Sequence, residues 1–299
     1  MIQIGIDFGG TKIEAAALDR AGAFVIRQRV ATPDNYADAI EAVAQLVARV
    51  EDEAGTARSI GIGLPGSISP RTGAMRNANT TYLNGFSFGQ DLERRMGRPV
   101  RLANDANCLA LSEARDGAAA GSRVTFAIIV GTGCGGGVVV DGMLVDGANG
   151  IAGEWGHIPL PWPRDDELPA PDCWCGQKGC LERWISGTGF RDDFERRAGK
   201  RPTGEEIVAL SRAGDATARA TLDDYIDRLG RGMAIIANIV DPDCFVVGGG
   251  MSNVTEIYDR LPAVISRHAF SDGWSGRIVP ARWGDSSGVR GAAQLWPPA

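Results

Sequence analysis

No apolar run in this 299-residue chain approaches the roughly 20 residues that cross a bilayer, and residues 1–7 carry neither the basic stretch nor the apolar core of a secretory signal. Neither membrane insertion nor export is expected. Lys and Arg form no cluster and the net charge is −6, which argues against nucleic acid as the main partner. Cysteine is sparse: six in a chain of this length cannot staple a secreted disulfide scaffold, so a reduced, cytoplasmic protein is expected, with thiols available as metal ligands. Histidine is scarcer still, at two. The hydrophobic fraction of 44% is nonetheless ample for the cores of one or two domains.

Glycine runs the other way. The 41 glycines cluster at Gly9-Gly10, between Gly131 and Gly137, and at Gly248-Gly249-Gly250. Such clusters mark backbone that turns sharply or comes close to a ligand. Residues 2–7 read as a buried strand ending at Asp7, followed by a glycine turn and strands over 13–18 and 23–30. The pattern returns over 126–147: an apolar strand to Val130, a glycine turn over 131–136, a strand over 137–140, a turn and a third strand. Helical spacing over 37–50, 106–114, 218–240 and 254–270 alternates with further strands at 59–64, 99–103 and 244–247. Strands alternating with helices predict an α/β fold, and two similar halves predict two lobes with a cleft between them. The lobes are expected over 1–116, joined by a closing helix within 286–299, and over 117–285.

One of the two histidines, His157, and three of the cysteines, Cys173, Cys175 and Cys180, fall within residues 153–182, which read G-E-W-G-H, a Pro- and Asp-rich insert, then C-W-C-G-Q-K-G-C-L-E. One imidazole and three thiols complete a tetrahedral zinc site with no position left for a catalytic water, so a structural metal is expected. Unrelated core thiols are the alternative. Glu154 and Glu182 bracket the set without being needed as ligands, which suggests a rigid pocket for a hydroxyl-rich molecule. Residues 159–171 read as a surface loop, and His268 as a surface or capping residue at a helix end.

Three further motifs suit phosphate chemistry. Asp7-Phe8-Gly9-Gly10-Thr11-Lys12 follows a strand, so its backbone N–H groups can face a phosphate, and Asp7 can hold magnesium through water. The P-loop spacing is absent. Gly131-Thr132-Gly133-Cys134-Gly135 is a second such turn, in which oxidation of Cys134 would interfere. Two turns from two lobes could grip a triphosphate, although either could be a plain hairpin. Asn104-Asp105 sits where a strand gives way to a helix: an N-cap on one reading, a general base for phosphoryl transfer on the other.

In order along the chain, D-F-G-G-T-K at 7–12, P-G-S-I at 65–68, N-A-N at 77–79, L-A-N-D-A-N-C at 102–108, G-T-G-C-G-G-G at 131–137, G-E-W-G-H at 153–157, C-W-C-G-Q-K-G-C-L-E at 173–182 and V-V-G-G-G-M-S at 246–252 resemble the ROK family of bacterial sugar kinases. The resemblance spans essentially the whole chain. It implies the two-lobed actin-like ATPase (ribonuclease H-like) fold and ATP-dependent phosphorylation of a hexose. Asp105 would be the catalytic base for the 6-hydroxyl, with Asn104, Asp105, Glu154, His157 and Glu182 binding the sugar. His157 would give one ring nitrogen to the sugar and the other to a structural zinc shared with Cys173, Cys175 and Cys180. Asp7, Gly9, Gly10, Thr11 and Lys12 and the turn Gly131, Thr132, Gly133, Cys134 and Gly135 would hold ATP, Asp7 organising its magnesium. Gly248, Gly249 and Gly250 would pass beside the adenosine. A homodimer is also implied.

The I-P-L-P-W loop after His157 and the G-D-S-S-G-V-R-G-A-A near the end resemble the fructokinase or mannose/fructose kinase branch. Fructose is therefore the first expectation and mannose the second, with glucose, N-acetylglucosamine or N-acetylmannosamine as the alternative. A sugar-sensing repressor of the same family would need a DNA-binding segment before Asp7, for which six residues leave no room. A non-catalytic sugar-binding scaffold would leave the two phosphate turns without a purpose.

Overall fold

The computed structural model describes residues 2–296. The strands are β1 (Ile2–Phe8), β2 (Lys12–Leu18), β3 (Phe24–Ala31), β4 (Ala57–Leu64), β5 (Ser67–Ile68), β6 (Met75–Arg76), β7 (Arg101–Asn104), β8 (Val124–Val130), β9 (Cys134–Val140), β10 (Met143–Leu144), β11 (Cys244–Gly248) and β12 (Arg277–Pro280). The α-helices are α1 (Tyr36–Ala54), α2 (Phe88–Met96), α3 (Asp105–Arg115), α4 (Glu182–Ile185), α5 (Gly187–Ala198), α6 (Gly204–Arg212), α7 (Ala216–Val240), α8 (Glu256–His268) and α9 (Ser287–Ala293). Two units emerge, one of residues 1–120, 137–152 and 282–299, the other of 121–136 and 153–281.

In the first unit the sheet runs β3-β2-β1-β4-β7, with β1 antiparallel to β2 and parallel to β4. The inner strands β1, β2 and β4 are buried nearly throughout because both faces are covered, whereas β3 alternates half-buried and exposed residues at the edge. α9 closes one face at backbone contact. A Cβ on Gly5 would lie 1.9 Å from the Val289 carbonyl oxygen, and one on Gly61 would lie 1.9 Å from that of Ala292. Buried Glu113 fixes the approach to this helix by accepting from the N–H groups of Arg282 and Trp283 and from Ser287 Oγ. Residues 297–299 of the expected closing helix lie outside the described residues.

The second unit repeats the order as β9-β8-β11-β12, again a hairpin followed by parallel strands. Its 25-residue helix α7 packs against α5, α6 and α8. Two sequence expectations shift here. β9 begins at Cys134 rather than 137, so Cys134, Gly135 and Gly136 are strand and not turn. The glycine is needed for packing: a Cβ on Gly136 would sit 2.8 Å from Trp155 Cδ1. Residues 137–152, expected in the larger lobe, group with the first unit because β9 runs straight on, and Gly137 there lies against α3, where a Cβ would meet the Ala106 carbonyl at 2.7 Å.

The 159–171 segment is likewise more than a surface loop. Its Glu167 is 1% exposed and receives Arg228 Nε at 2.8 Å and Arg231 Nη2 at 2.6 Å, both from α7, while Arg228 Nη1 also reaches Asp193 of α5 at 2.6 Å. Burial pushes the Glu167 carboxyl up, but hydrogen bonds from Arg231, the Arg164 N–H and Arg228 overcome it and hold the carboxyl down to about 2. The insert is thus stapled to the helices by buried charge. Glu167→Gln removes a charge shared by two buried guanidiniums, which keep Asp193 and Asp227 respectively, and is expected to destabilise the protein by about 1–3 kcal/mol. Since the folded chain holds this carboxyl below its ordinary 4.5, the contribution is complete above that pH and fades as the pH falls toward about 2. Thermal unfolding of the two proteins from neutral to acid pH should show their difference shrinking.

Candidate functional site

In the first unit, Asp7 is the penultimate residue of β1, paired with Glu14 of β2 and Gly63 of β4. Gly288 at the start of α9 lies against it, since a Cβ there would come 3.1 Å from Asp7 Oδ2. The turn that follows is tight, with the Gly9 N–H bonded to the Lys12 carbonyl at 3.0 Å and Thr32 Oγ1 donating to the Gly9 carbonyl at 2.7 Å. Gly10, Thr11 and Lys12 are left exposed, which suits a phosphate-facing turn.

Both side chains of Asn104-Asp105 meet the start of α3. Asn104 is the N-cap of α3: its Oδ1 accepts the Ala106 N–H at 2.8 Å, and its Nδ2 donates to the Gly66 carbonyl at 3.1 Å, tying the P-G-S-I loop to the helix. Asp105 is the first helical residue, with Oδ1 also 2.8 Å from the Ala106 N–H, at a helix end that favours an anion. The buried Cys108 thiol, one turn on, is pushed well above the ordinary range by burial, then by the charges of Asp7 and Asp105.

In the second unit the turn after β8 closes with the Gly131 N–H on the Gly133 carbonyl at 3.0 Å. It is tied to the start of α5, where the Gly187 N–H reaches the Gly131 carbonyl at 2.7 Å and Thr188 Oγ1 reaches that of Thr132 at 2.8 Å. These residues open onto a cavity of about 430 Å³, within the range of small-molecule sites. Gly131, Thr132 and Gly250 line it, as the sequence led one to expect, together with Thr188, Arg191 and Met251, which it did not. The missed signal is S-G-T-G-F-R at 186–191, a capped glycine-rich helix start of the kind that accepts phosphates. Gly249 adopts φ +81°, and a Cβ there would strike the Val130 carbonyl at 2.6 Å, so the glycine run is required where β11 leaves the sheet beside β8. Gly248 is the last residue of β11.

The G-E-W-G-H motif is built onto β9. Trp155 is buried, donates from Nε1 to the Gly135 carbonyl at 3.1 Å and meets Phe126 edge-on. A Cβ on Gly156 would lie 2.4 Å from the Cys134 carbonyl, so no other residue fits there. This anchoring presents Glu154 and His157 on either side. His157 Nδ1 faces Cys173 Sγ at 3.8 Å, and Cys175 Sγ lies 3.6 Å from Cys180 Sγ. All four ligand atoms fall within 4.8 Å of one another. Thiolates 2.3 Å from a tetrahedral zinc stand roughly 3.8 Å apart, so the donor set and its spacing suit that ion. Gly176 and Gly179, at φ +88° and +73°, turn the loop that carries the thiols. His268 stacks on Trp162 with ring centroids 4.7 Å apart and takes no part in the cluster.

Glu182, the first residue of α4, joins the two halves of this unit's site. Its Oε2 accepts the Cys134 N–H at 3.1 Å, and a Cβ on Gly133 would come 2.8 Å from the same oxygen. The neighbouring Cys134 thiol is pushed well above its usual range by burial and by the charges of Glu182 and Glu154. Cys134 is therefore expected to resist alkylation at pH 7.5 in the folded protein, where a thiol of this kind is almost wholly protonated. Mass spectrometry after a short iodoacetamide pulse should find it unmodified, and modified only after denaturation.

The model of the ROK family matches residues 3–299. N-acetyl-D-glucosamine kinases of Pectobacterium atrosepticum and of Vibrio cholerae are 40% and 37% identical to this chain over 296 residues, covering 97% of it and 97% and 98% of their own lengths. Among solved structures, a ROK hexokinase from Thermus thermophilus is 34% identical with a TM-score of 0.88, the match covering 99% of this chain and 97% of that one. A ROK family glucokinase from Streptomyces griseus, solved with glucose and AMPPNP, is 30% identical with a TM-score of 0.77 over 99% of both chains.

Proposed function

Because this chain belongs to the ROK family and is a sugar kinase, we propose that it transfers the γ-phosphoryl group of ATP to the 6-hydroxyl of N-acetyl-D-glucosamine. The amino sugar displaces fructose as the first choice. Relatives that match nearly the full chain at 37–40% identity carry that activity in their names, and the two segments that suggested fructose have other work. In G-D-S-S-G-V-R-G-A-A, a Cβ on Gly291 would lie 1.8 Å from the Cys108 carbonyl, so that glycine is set by packing of α9. In I-P-L-P-W, Pro159 bridges to Cys180 and the Leu160 N–H bonds the Gly179 carbonyl at 2.8 Å, which braces the thiol loop. Neither feature depends on which sugar is bound.

The observation that supports the reading best is the hydrogen bond to Glu182 from the Cys134 N–H, the first of β9 and next to the 131–133 turn, which joins the acid proposed for the sugar to the turn proposed for the phosphates. Asp105 accepts the proton of the sugar's 6-hydroxyl as that oxygen bonds to the γ-phosphorus and the bond to ADP breaks. Glu154, Glu182 and the Nε2 side of His157 hold other hydroxyls, and Asn104 positions Asp105 through the shared helix cap while adding a polar contact to the sugar. The substrate is Mg-ATP, its magnesium organised through water by Asp7. Its phosphates rest on the turns at 9–12 and 131–133, and its nucleoside on the cavity beside Gly250. A zinc ion on His157, Cys173, Cys175 and Cys180 would serve as a cross-link that fixes the imidazole and the thiol loop. Initial rates of ADP formation with N-acetylglucosamine, N-acetylmannosamine, glucose, mannose and fructose test the assignment. The highest kcat/KM is expected for N-acetylglucosamine, and a higher value for fructose would restore the first expectation.

A further inference from the structure

Between two thiols of the cluster stands Trp174, 65% exposed in a loop otherwise held tightly in place. The Cys173 N–H bonds the Gln177 carbonyl at 2.8 Å and the Gly176 N–H bonds that of Cys173 at 3.0 Å, so the base of this side chain is rigid. Such an indole offers a broad apolar face and one N–H donor to whatever lies beside it. Its two contacts show where it stands. Nε1 donates to Glu182 Oε1 at 2.6 Å, and the ring stands edge-on to His157 with centroids 5.0 Å apart and planes at 85°. Both partners belong to the sugar-binding set of the proposed function.

Glu182 is thereby held from two sides, Oε2 by the Cys134 N–H and Oε1 by the indole. Each carboxylate oxygen has two acceptor positions and keeps one for a ligand hydroxyl. We propose that Trp174 is a specificity-determining residue of the sugar site: its N–H sets the plane of the Glu182 carboxylate, and its exposed ring covers the apolar surface of the amino sugar, including the acetamido methyl group. An indole suits both tasks because it joins a broad apolar face to a single donor. Because the loop is already ordered, little conformational freedom is lost when the sugar arrives. The inference rests on the proposed sugar site and adds a wall to it.

The test uses full-length Trp174→Ala and Trp174→Phe, with Glu182→Gln beside them. The readouts are the sugar Kd by calorimetry without nucleotide, KM for sugar and for ATP, and zinc per chain. Trp174→Ala is expected to raise the N-acetylglucosamine Kd and KM by about tenfold or more, to leave the ATP KM within about twofold, and to narrow the preference for N-acetylglucosamine over glucose. Trp174→Phe, which keeps a ring but loses the donor, should fall between, at roughly threefold. Unchanged Kd and sugar preference in Trp174→Ala with its metal retained would overturn the proposal. Should that variant lose its metal, Trp174→Phe decides, and an unchanged Kd there would overturn it equally. If Glu182→Gln also leaves the sugar Kd unchanged, the site itself is misplaced and the fault lies in the reading beneath.

Discussion

Replacing Asp105 by Asn lowers kcat by about 10²–10⁴-fold, the contribution of a general base, while the sugar Kd stays within a few-fold of the parent. The size of the effect follows from what the substitution removes. Asn104, not residue 105, carries the helix cap, and an asparagine at 105 can still accept the Ala106 N–H that Asp105 accepts now. The helix start therefore survives and only the proton acceptor is lost. The same experiment on Asp7→Asn, near the end of β1, gives a contrast. There the loss should appear in the dependence on Mg-ATP and ease as magnesium is raised, whereas no metal concentration rescues Asp105→Asn. Initial rates across a magnesium series separate the two roles. A kcat reduced less than about tenfold in Asp105→Asn would remove that residue from the chemistry.

Cys175→Ser is expected to produce the second large effect. Four ligand atoms within 4.8 Å of one another form a closed set, and losing one thiolate leaves a structural ion three ligands. The purified parent should hold about one zinc per chain and the variant far less. Sugar affinity should fall by at least about tenfold, because His157 turns its Nδ1 to the Cys173 thiol and Glu182 follows Cys180 by two residues, so both depend on the same loop. The cavity proposed for the nucleotide is lined by Gly131, Thr188 and Gly250, outside that loop, and AMPPNP should still bind. Elemental analysis with parallel sugar and nucleotide titrations reads all three quantities. A metal-free parent that binds sugar fully would show the four ligands to be ordinary core thiols beside a histidine.

The strongest sequence signals were those in which local spacing and three-dimensional proximity coincide. Three thiols within eight residues had little choice but to meet, and the glycines at 176 and 179 turn the loop that brings them together. The strand-turn-strand repeat was visible because β1 and β8 are apolar runs with a glycine turn behind each. Features that depend on distant pairing stayed hidden. Glu167 looks like a loop acid until Arg228 and Arg231, more than 60 residues on, are seen beside it. Gly136 looked like part of a turn because only the structure shows Trp155 lying against it. Thr188 and Arg191 were overlooked since a helix start far along the chain gives no sign that it faces Gly131. The sugar was the least legible feature. A hydroxyl-binding set of the kind proposed for Glu154, His157 and Glu182 names no particular hexose, and a wall residue such as Trp174 is announced by no spacing rule.

The most direct test of the central claim is the identity of the product formed from Mg-ATP and N-acetyl-D-glucosamine, read by phosphorus NMR and mass spectrometry after complete turnover. N-acetylglucosamine 6-phosphate, formed in equal amount with ADP, is the predicted result. Phosphate at another hydroxyl, or ADP released with free phosphate and no sugar phosphate, would contradict the assignment of Asp105 and of the hydroxyl-binding set.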